Sequence, residues 1–226
     1  MANTYAPFGF RPVGNREGTA PTAGMERMWI GSSDTNTYFT GDLVYQSSAG
    51  IGAGGVTQPN IISLSSQAGG FPAGVFVGCK YYSPAVGRTV WNSYFPGNLG
   101  TSSSPCEAYV ITNPQQLFIA QCSTTSGVCG ASMVGSNIGT ASSGQTSGNT
   151  LSGQSAEALA SSNTGWTLSS AAYPGDTSLF NWKVVDTYAN YAPPGVNGTS
   201  SGSEGGMILV VQPGNWMRNI VNSGSS

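Results

Sequence analysis

The sequence contains no histidine, and this absence removes whole classes of catalytic and metal chemistry. Ser-His-Asp and Cys-His triads need an imidazole as general base, and histidine is the commonest metal ligand. The nine acidic residues are spread singly along the chain, and several stand beside turn glycines, as Asp42 and Asp176 do. We interpret them as solvated turn and cap residues. The sequence therefore predicts no catalytic site, no metal site and no cofactor.

Charge of either sign is scarce. Charged residues make up 7% of the chain, against about 25% in an average globular protein. The seven Lys and Arg residues are scattered and the net charge is −2, so we expect no nucleic-acid partner. No apolar run approaches the roughly 18 residues of a transmembrane helix, and the opening MANTYAPF lacks the basic and apolar regions of a signal peptide. These absences predict a chain made in a cytoplasm, with no membrane partner.

Cysteine is also infrequent, with four copies and no close C-x-x-C pair of the kind found in zinc sites. Cys79 follows the apolar run GVFVG, and free cysteine in such a setting behaves as a small buried hydrophobe. The nearest pair is Cys122 and Cys129. Two interpretations stay open: buried thiols throughout, or one disulfide between Cys122 and Cys129 across a loop.

Glycine and proline, by contrast, are abundant, with 33 and 13 copies, and aromatic residues reach 10%. Disordered chains usually combine low hydrophobicity with high charge, so we expect a folded, loop-rich chain with little helix. Short apolar segments between turn residues predict the strands, which are Met25–Ile30, Phe39–Gln46, Ile61–Leu64, Gly74–Tyr82, Arg88–Phe95, Cys106–Thr112, Gln116–Cys122, Leu179–Thr187 and Gly206–Val211. The sequence predicts an all-β barrel or sandwich of about nine short strands, with long Gly/Ser-rich loops and an extended N-terminal arm.

Two strand pairs are expected to be hairpins. The first joins Gly74–Tyr82, the strongest apolar block, to Arg88–Phe95 through the turn SPAVG. The second joins Cys106–Thr112 to Gln116–Cys122 through Asn113-Pro114, which is a turn signal. The second is the better defined of the two pairings.

Two regions differ from this strand pattern. Residues 1–24 form an arm, in which prolines forbid helix and glycines supply turns. Residues 25–226 are expected to form a single β domain with a Ser/Gly/Thr-rich surface excursion at 123–178. Apolar residues recur in that excursion, which a solvated linker would not need. We expect at most one helical turn in it, near Ser155–Ala160.

The arm contains aromatic residues that would be adhesive if they were exposed. It either folds back on its own domain or contacts another protein, where aromatic residues and arginine act as anchors. We predict an intermolecular interface whose arm residues are Tyr5, Pro7, Phe8, Phe10, Arg11 and Pro12. Deletion of residues 2–12 is then expected to leave the fold intact.

Several segments resemble, in order, a group of tailed-bacteriophage virion proteins. The segments are YAPFGFRPVG, GVFVGCKYY with the later WNSYFPG, AYVITNPQQLFIAQ, MVGSNIG and KVVD. Together they resemble the head decoration, or cement, proteins of several aquatic and cyanobacterial phages. The resemblance implies a non-enzymatic all-β protein on the outer surface of the capsid, with the arm at a capsid or subunit interface. Its implied partners are the major capsid protein and further copies of itself, and a trimer is our hypothesis.

Two other functions remain as alternatives. A carbohydrate-binding adhesin, or a tail-associated virion protein, would use a sugar groove lined by tryptophans, which are Trp29, Trp91, Trp166, Trp182 and Trp216. Such side chains more often lie in cores and interfaces. A hydrolase with an unorthodox site is the more remote alternative, because the usual general base is missing.

Overall fold

The computed structural model describes residues 6–18, 24–31, 34–47, 61–63, 72–97, 106–123, 131–140, 148–160, 182–188 and 208–213. These residues form no α-helix and one 3₁₀ turn, Ala131–Met133. Their strands are β1 (Arg11–Asn15), β2 (Met25–Ile30), β3 (Tyr38–Phe39), β4 (Leu43–Ser47), β5 (Ile61–Ser63), β6 (Pro72–Ser83), β7 (Arg88–Asn92), β8 (Tyr94–Phe95), β9 (Cys106–Ile111), β10 (Gln116–Gln121), β11 (Asn137–Thr140), β12 (Gly148–Asn149), β13 (Gln154–Ser155), β14 (Leu159–Ala160), β15 (Trp182–Thr187) and β16 (Ile208–Pro213). The all-β class expected from the sequence is confirmed.

The first sheet has six strands in the order β1-β10-β16-β15-β11-β14, and all of its pairings are antiparallel. Its inner strands β10 and β16 are buried at nearly every position, which explains their near-continuous apolar sequences. Strand β1 comes from the arm and stands at the end of the described sheet. A bulge between Pro12 and Gly14 interrupts its pairing with β10, and proline is tolerated at such an edge.

The second sheet curls upon itself. Its strands run β4-β5-β2-β9-β6-β7, and β4 also pairs with β6. The pairings therefore form a closed ring through β4, β5, β2, β9 and β6, with β7 attached outside it. Strand β5 completes the ring through a parallel pairing to β2 and an antiparallel pairing to β4. Two further pairs of short strands, β3 with β8 and β12 with β13, accompany the two sheets.

Alternation along the strands of the curled sheet divides the apolar residues between two cores. On β4, Leu43 and Tyr45 face the first sheet, while Val44 faces the inside of the curl. The inter-sheet core consists of Phe10, Leu43, Tyr45, Val75, Ile111, Phe118, Ala120, Cys122, Ile138, Leu159, Trp182, Val184, Leu209 and Val211. The ring core consists of Met28, Ile30, Tyr38, Val44, Ile62, Phe76, Cys79, Tyr81, Phe95, Cys106, Ala108 and Val110.

A bulge in β6 changes which side chains reach the ring core. The register against β9 shifts between Phe76 and Gly78, so Val77 is the extra residue. Because of this insertion, Phe76 and Cys79 both face the ring core although they are three positions apart. Lys80, the residue after Cys79, then lies on the outer side of the sheet.

One expected hairpin forms and the other does not. Strands β6 and β7 pair as expected. The second pairing is wrong: β9 pairs with β2 and β6, whereas β10 pairs with β1 and β16 in the other sheet. The chain crosses between sheets at Asn113, whose side-chain and backbone oxygens accept the N–H groups of Gln115 and Gln116. The two neighbours of β9 are β2 and β6, so β10 is not paired with it. Ile111 of β9 and Phe118 of β10 instead belong to the inter-sheet core from opposite sheets.

The region 123–178 is more than a surface excursion. Its described residues supply β11 and β14 to the first sheet, and Ile138 and Leu159 are completely buried in the inter-sheet core. The described stretch 154–160, where at most one helical turn was expected, contains β13 and β14 and no helical turn. Tertiary pairing of Leu159–Ala160 with β11 outweighs the local preference.

Candidate interaction surfaces

The structure distributes the predicted arm residues between the core and the surface. Phe10 is only 1% exposed, and its ring stacks on Trp182 with centroids 4.2 Å apart and planes at 19°. Phe118 meets the same indole edge-on. Phe8 and Pro7 are half-buried, Arg11 and Pro12 are exposed, and Tyr5 lies outside the described residues.

The burial of Phe10 corrects part of the interpretation of the arm. This side chain belongs to the inter-sheet core of its own chain, where it packs with Trp182 and Phe118. Deletion of residues 2–12 would remove Phe10 and leave a cavity, so we now expect such a deletion to destabilise the fold. An intermolecular role stays a prediction for Tyr5, Pro7, Phe8, Arg11 and Pro12. The Arg11 guanidinium lies 4.7 Å from the centre of the Phe8 ring.

Backbone hydrogen bonds hold the arm against two other segments, and we call this region the arm junction (residues 9–10, 40–43 and 153–157). The Phe10 N–H donates to the Gly41 oxygen at 3.0 Å, and the Gly9 N–H donates to the Glu157 oxygen at 3.2 Å. A Cβ on Gly9 would lie 2.7 Å from the Ser155 Cβ. Gly9 also has φ +72°, so both space and backbone conformation require glycine there.

Two buried carboxyl groups lie inside the arm junction. Asp42 is fully buried and Glu157 is 4% exposed, which corrects the expectation that the acidic residues are solvated. The Asp42 Oδ2 accepts the N–H of Phe39 at 2.7 Å, and the Glu157 Oε2 accepts the N–H of Leu43 at 2.9 Å. Burial raises the pKa of Glu157 well above its usual range, and the nearby Asp42 raises it further.

The position of these carboxyl groups assigns them a structural role. A general acid must reach a proton on its substrate, and neither Asp42 nor Glu157 has the exposure for such contact. Each instead accepts a backbone N–H in the turn between β3 and β4. Within the described residues, no group of three metal-ligating side chains comes together.

The cysteines that the structure describes are buried. Cys79 and Cys106 belong to the ring core, and Cys122 belongs to the inter-sheet core. A hydrogen bond with Cys79, together with burial, raises the pKa of the Cys106 thiol. Cys129 lies outside the described residues, so the disulfide between Cys122 and Cys129 stays a prediction.

An aromatic surface covers part of the outer side of the curled sheet. Trp91 on β7 is 65% exposed, and its ring stacks on that of Tyr109 on β9, with centroids 4.4 Å apart and planes at 22°. Strand β6 runs between β7 and β9, and the residue opposite Tyr109 on β6 is Gly78. A Cβ on Gly78 would lie 3.0 Å from the Asn92 backbone oxygen, so β6 and β7 approach closely here, and the two rings meet across β6.

Charged side chains and a second indole extend this surface. The register places Trp91 opposite Lys80, Lys80 opposite Glu107, and Glu107 opposite Trp29, so these residues form one row across four strands. We call Trp29, Trp91 and Tyr109, with Arg27, Lys80 and Glu107, the outer aromatic face.

Internal contacts hold Glu107 of the outer aromatic face beside Arg27 and Tyr109. An Arg27 Nη1 lies 3.8 Å from a Glu107 carboxylate oxygen, and the Tyr109 hydroxyl donates to the other oxygen at 3.2 Å. The Arg27 guanidinium also lies 5.5 Å from the centre of the Trp29 ring. Burial and the bond to Glu107 raise the pKa of Tyr109, so the phenol remains neutral and keeps its proton.

The tryptophans of the alternative sugar groove differ in their exposure. Trp182 is fully buried under Phe10 and cannot contact a ligand. Trp166 and Trp216 lie outside the described residues. Trp29 and Trp91 are the two that the structure places at the surface, and they share the outer aromatic face.

Comparison of the chain with protein-family models, with curated proteins and with solved structures found no match. Among the described residues, no helix has the length and hydrophobicity that a membrane span requires.

Proposed function

We propose that this chain is a virion decoration protein, which binds the outside of an assembled phage head and stabilises the contacts between capsomers. The arm is the observation that supports this role most directly. Phe10 fixes the arm to the inter-sheet core, while Phe8 and Arg11 remain at the surface, joined by a cation–π contact. An arm held in this way presents an aromatic and a basic anchor to a partner at little cost in conformational entropy.

The edge of the first sheet supports the same role. Strand β1 pairs with β10 on one side and stands at the end of the described sheet. An exposed edge can pair with an extended segment of another protein, and such pairing relies on main-chain hydrogen bonds. With few charges in the chain, we expect a contact that depends mainly on apolar and backbone groups and only mildly on salt.

The proposed mechanism is thermodynamic and has no catalytic step. A protein that binds the assembled shell, and not free capsid subunits, stabilises the shell by mass action, by about 2.7 kcal/mol per site at a free concentration of 100 times Kd. The partners in this proposal are the major capsid protein and further copies of this chain, with a trimer as the working hypothesis. The protein would be synthesised in the host cytoplasm and would act on the outer surface of the virion.

The test is a titration of purified protein onto heads from which it has been stripped, with thermal rupture of the heads followed in the same samples. We expect saturable binding and a higher rupture temperature. A Phe8→Ala/Arg11→Ala double variant should bind heads more weakly. The matched control is Leu151→Ala, a substitution in the loop between β12 and β13 at a side chain that is 98% exposed.

Two results would contradict the proposal at different levels. If wild-type protein does not saturate stripped heads, the chain is not a decoration protein. If wild type saturates and the double variant binds with equal affinity, the decoration role stands and the assignment of the arm is wrong. Thermal unfolding of the double variant should lie within about 4 °C of that of wild type, since both side chains are partly or fully exposed.

A further inference from the structure

The outer aromatic face combines high exposure with a fixed geometry. Trp91 leaves 65% of its surface to solvent, and one side of its indole lies against Tyr109. The stacked ring restricts rotation of Trp91, so the opposite side of the indole forms a flat, pre-oriented platform. Several aromatic rings on one face of a sheet, unlike a single exposed apolar residue such as Leu151, form a contiguous patch of the kind that marks an interaction site.

A second platform lies along the same row. Trp29 is three strands away from Trp91, a separation of about 14 Å at the usual strand spacing. Its ring is partly exposed and lies beside the Arg27 guanidinium. Polar groups fill the distance between the two indoles, since Lys80 and Glu107 occupy the intervening positions of the row. The surface is therefore apolar at its two ends and hydrogen-bonding at its centre.

The charges at that centre indicate an uncharged partner. Glu107 is close to Arg27 and accepts the Tyr109 hydroxyl, and Lys80 lies opposite it on β6, so the centre offers both a hydrogen-bond acceptor and donors, as hydroxyl groups require. Nucleic acid also stacks on aromatic rings, but its phosphates would approach Glu107 on a chain whose net charge is −2. A neutral ligand with one apolar face and a rim of hydroxyl groups matches both the indoles and the polar centre.

We propose that the outer aromatic face binds a neutral oligosaccharide. The C–H face of one pyranose ring stacks on the exposed side of Trp91, and a later ring of the same chain contacts Trp29. Glu107 accepts hydroxyl hydrogen bonds, while Arg27 and Lys80 donate to hydroxyl oxygens. This site is independent of the proposed role at the phage head, because the arm takes no part in it.

The experiment uses the whole protein and soluble probes, which are maltohexaose, cellohexaose, laminarihexaose, xylohexaose, mannohexaose and chitohexaose. Isothermal titration calorimetry is carried out for wild type, Trp91→Ala and Trp91→Phe, with Leu151→Ala as control. Calorimetry is preferable to fluorescence, because a Trp91 variant removes part of the optical signal. We expect saturable binding of at least one probe, weakened about tenfold or more in Trp91→Ala. Trp91→Phe should retain part of the affinity, and Leu151→Ala all of it.

Three outcomes would overturn the proposal. The first is no saturable binding of any probe by wild type at concentrations of about 10 mM, ten times a weak Kd. The second is binding that is equal in wild type and Trp91→Ala. The third repeats the absence of probe binding and adds a loss of binding to stripped heads in Trp91→Ala. That result would assign the face to a protein contact. Circular dichroism of Trp91→Phe, which keeps a ring against Tyr109, controls for damage to the sheet.

Discussion

Phe10 and Phe8 form a natural pair for testing how the arm is held. They are the same residue type, two positions apart on either side of Gly9, whose φ of +72° interrupts the extended backbone, and their side chains lie in different environments. Phe10 is 1% exposed and stacks on Trp182, whereas Phe8 is half-buried beside Arg11. Substitution of each residue by alanine removes the same atoms, so any difference in stability reports the environment alone.

The expected difference is large. Replacement of a fully buried phenylalanine by alanine costs about 3–5 kcal/mol, because apolar contacts are lost and a cavity remains. Stacking on Trp182 places Phe10→Ala in the upper part of that range. For a chain of this size each kcal/mol corresponds to about 2–4 °C in Tm, so Tm should fall by roughly 6–20 °C. Phe8→Ala removes a surface cation–π contact and should cost about 1 kcal/mol or less.

The assay is urea unfolding followed by circular dichroism, with a thermal scan of the same samples. Equal slopes of free energy against urea concentration would show that the substitutions change stability and leave the denatured state comparable. A Phe10→Ala variant that loses less than about 1 kcal/mol, or no more than Phe8→Ala, would refute the placement of the arm in the inter-sheet core.

Three further predictions concern the arm junction and the ring core. Since the pKa of Glu157 is raised in the fold, its stabilising contribution is full below the pKa of about 4.3 of the unfolded chain and falls as pH rises toward the folded value. Glu157→Gln should therefore gain stability relative to wild type as pH increases from 4 to 8 in urea titrations, and a constant difference would contradict the buried carboxyl. Gly41→Ala should lower the free energy of unfolding by at least about 1–2 kcal/mol, because Gly41 has φ +99° and a new Cβ would lie 3.0 Å from the Phe10 nitrogen. An unfolding midpoint in urea equal to that of wild type would contradict this turn geometry. Cys106 should resist iodoacetamide at pH 8 until urea unfolds the protein, because burial and Cys79 raise its pKa; rapid labelling of native protein, mapped by mass spectrometry, would contradict the ring core.

Local sequence was sufficient to predict most strands and insufficient to predict their partners. GVFVGCKYY indicates a buried strand by composition, and β6 covers this segment. The bulge at Val77 is a property of the pairing with β9 and leaves no mark in the sequence around it. The turn predicted at Asn113 forms. The same turn residues suit a hairpin and a crossing between sheets, so the sequence could not show which of the two follows.

The surfaces were less predictable than the strands. Strict alternation along an extended arm would place Phe8 and Phe10 on the same face, but the positive φ of Gly9 between them breaks the alternation, and their environments differ. The cleft for Phe10 is completed by Trp182, which is distant in sequence. The stack of Trp91 on Tyr109 likewise joins two strands that are separated by β6, a relation that becomes visible once β6, β7 and β9 are aligned.

The long-range pairings of the curled sheet have a consequence for synthesis on the ribosome. Strand β2 pairs along its length with β9, whose first residue is Cys106. Translation at 5–20 residues per second leaves β2 without this partner for roughly 4–15 s after its own synthesis. The short parallel pairing of β2 with β5 is available earlier, but it involves only Trp29 and Ile30. The nascent chain must therefore pass through a stage in which β2 lacks β9 and the side chains of Met28 and Ile30 lack their core. At this stage a holding chaperone or a low expression temperature should increase the yield of folded protein.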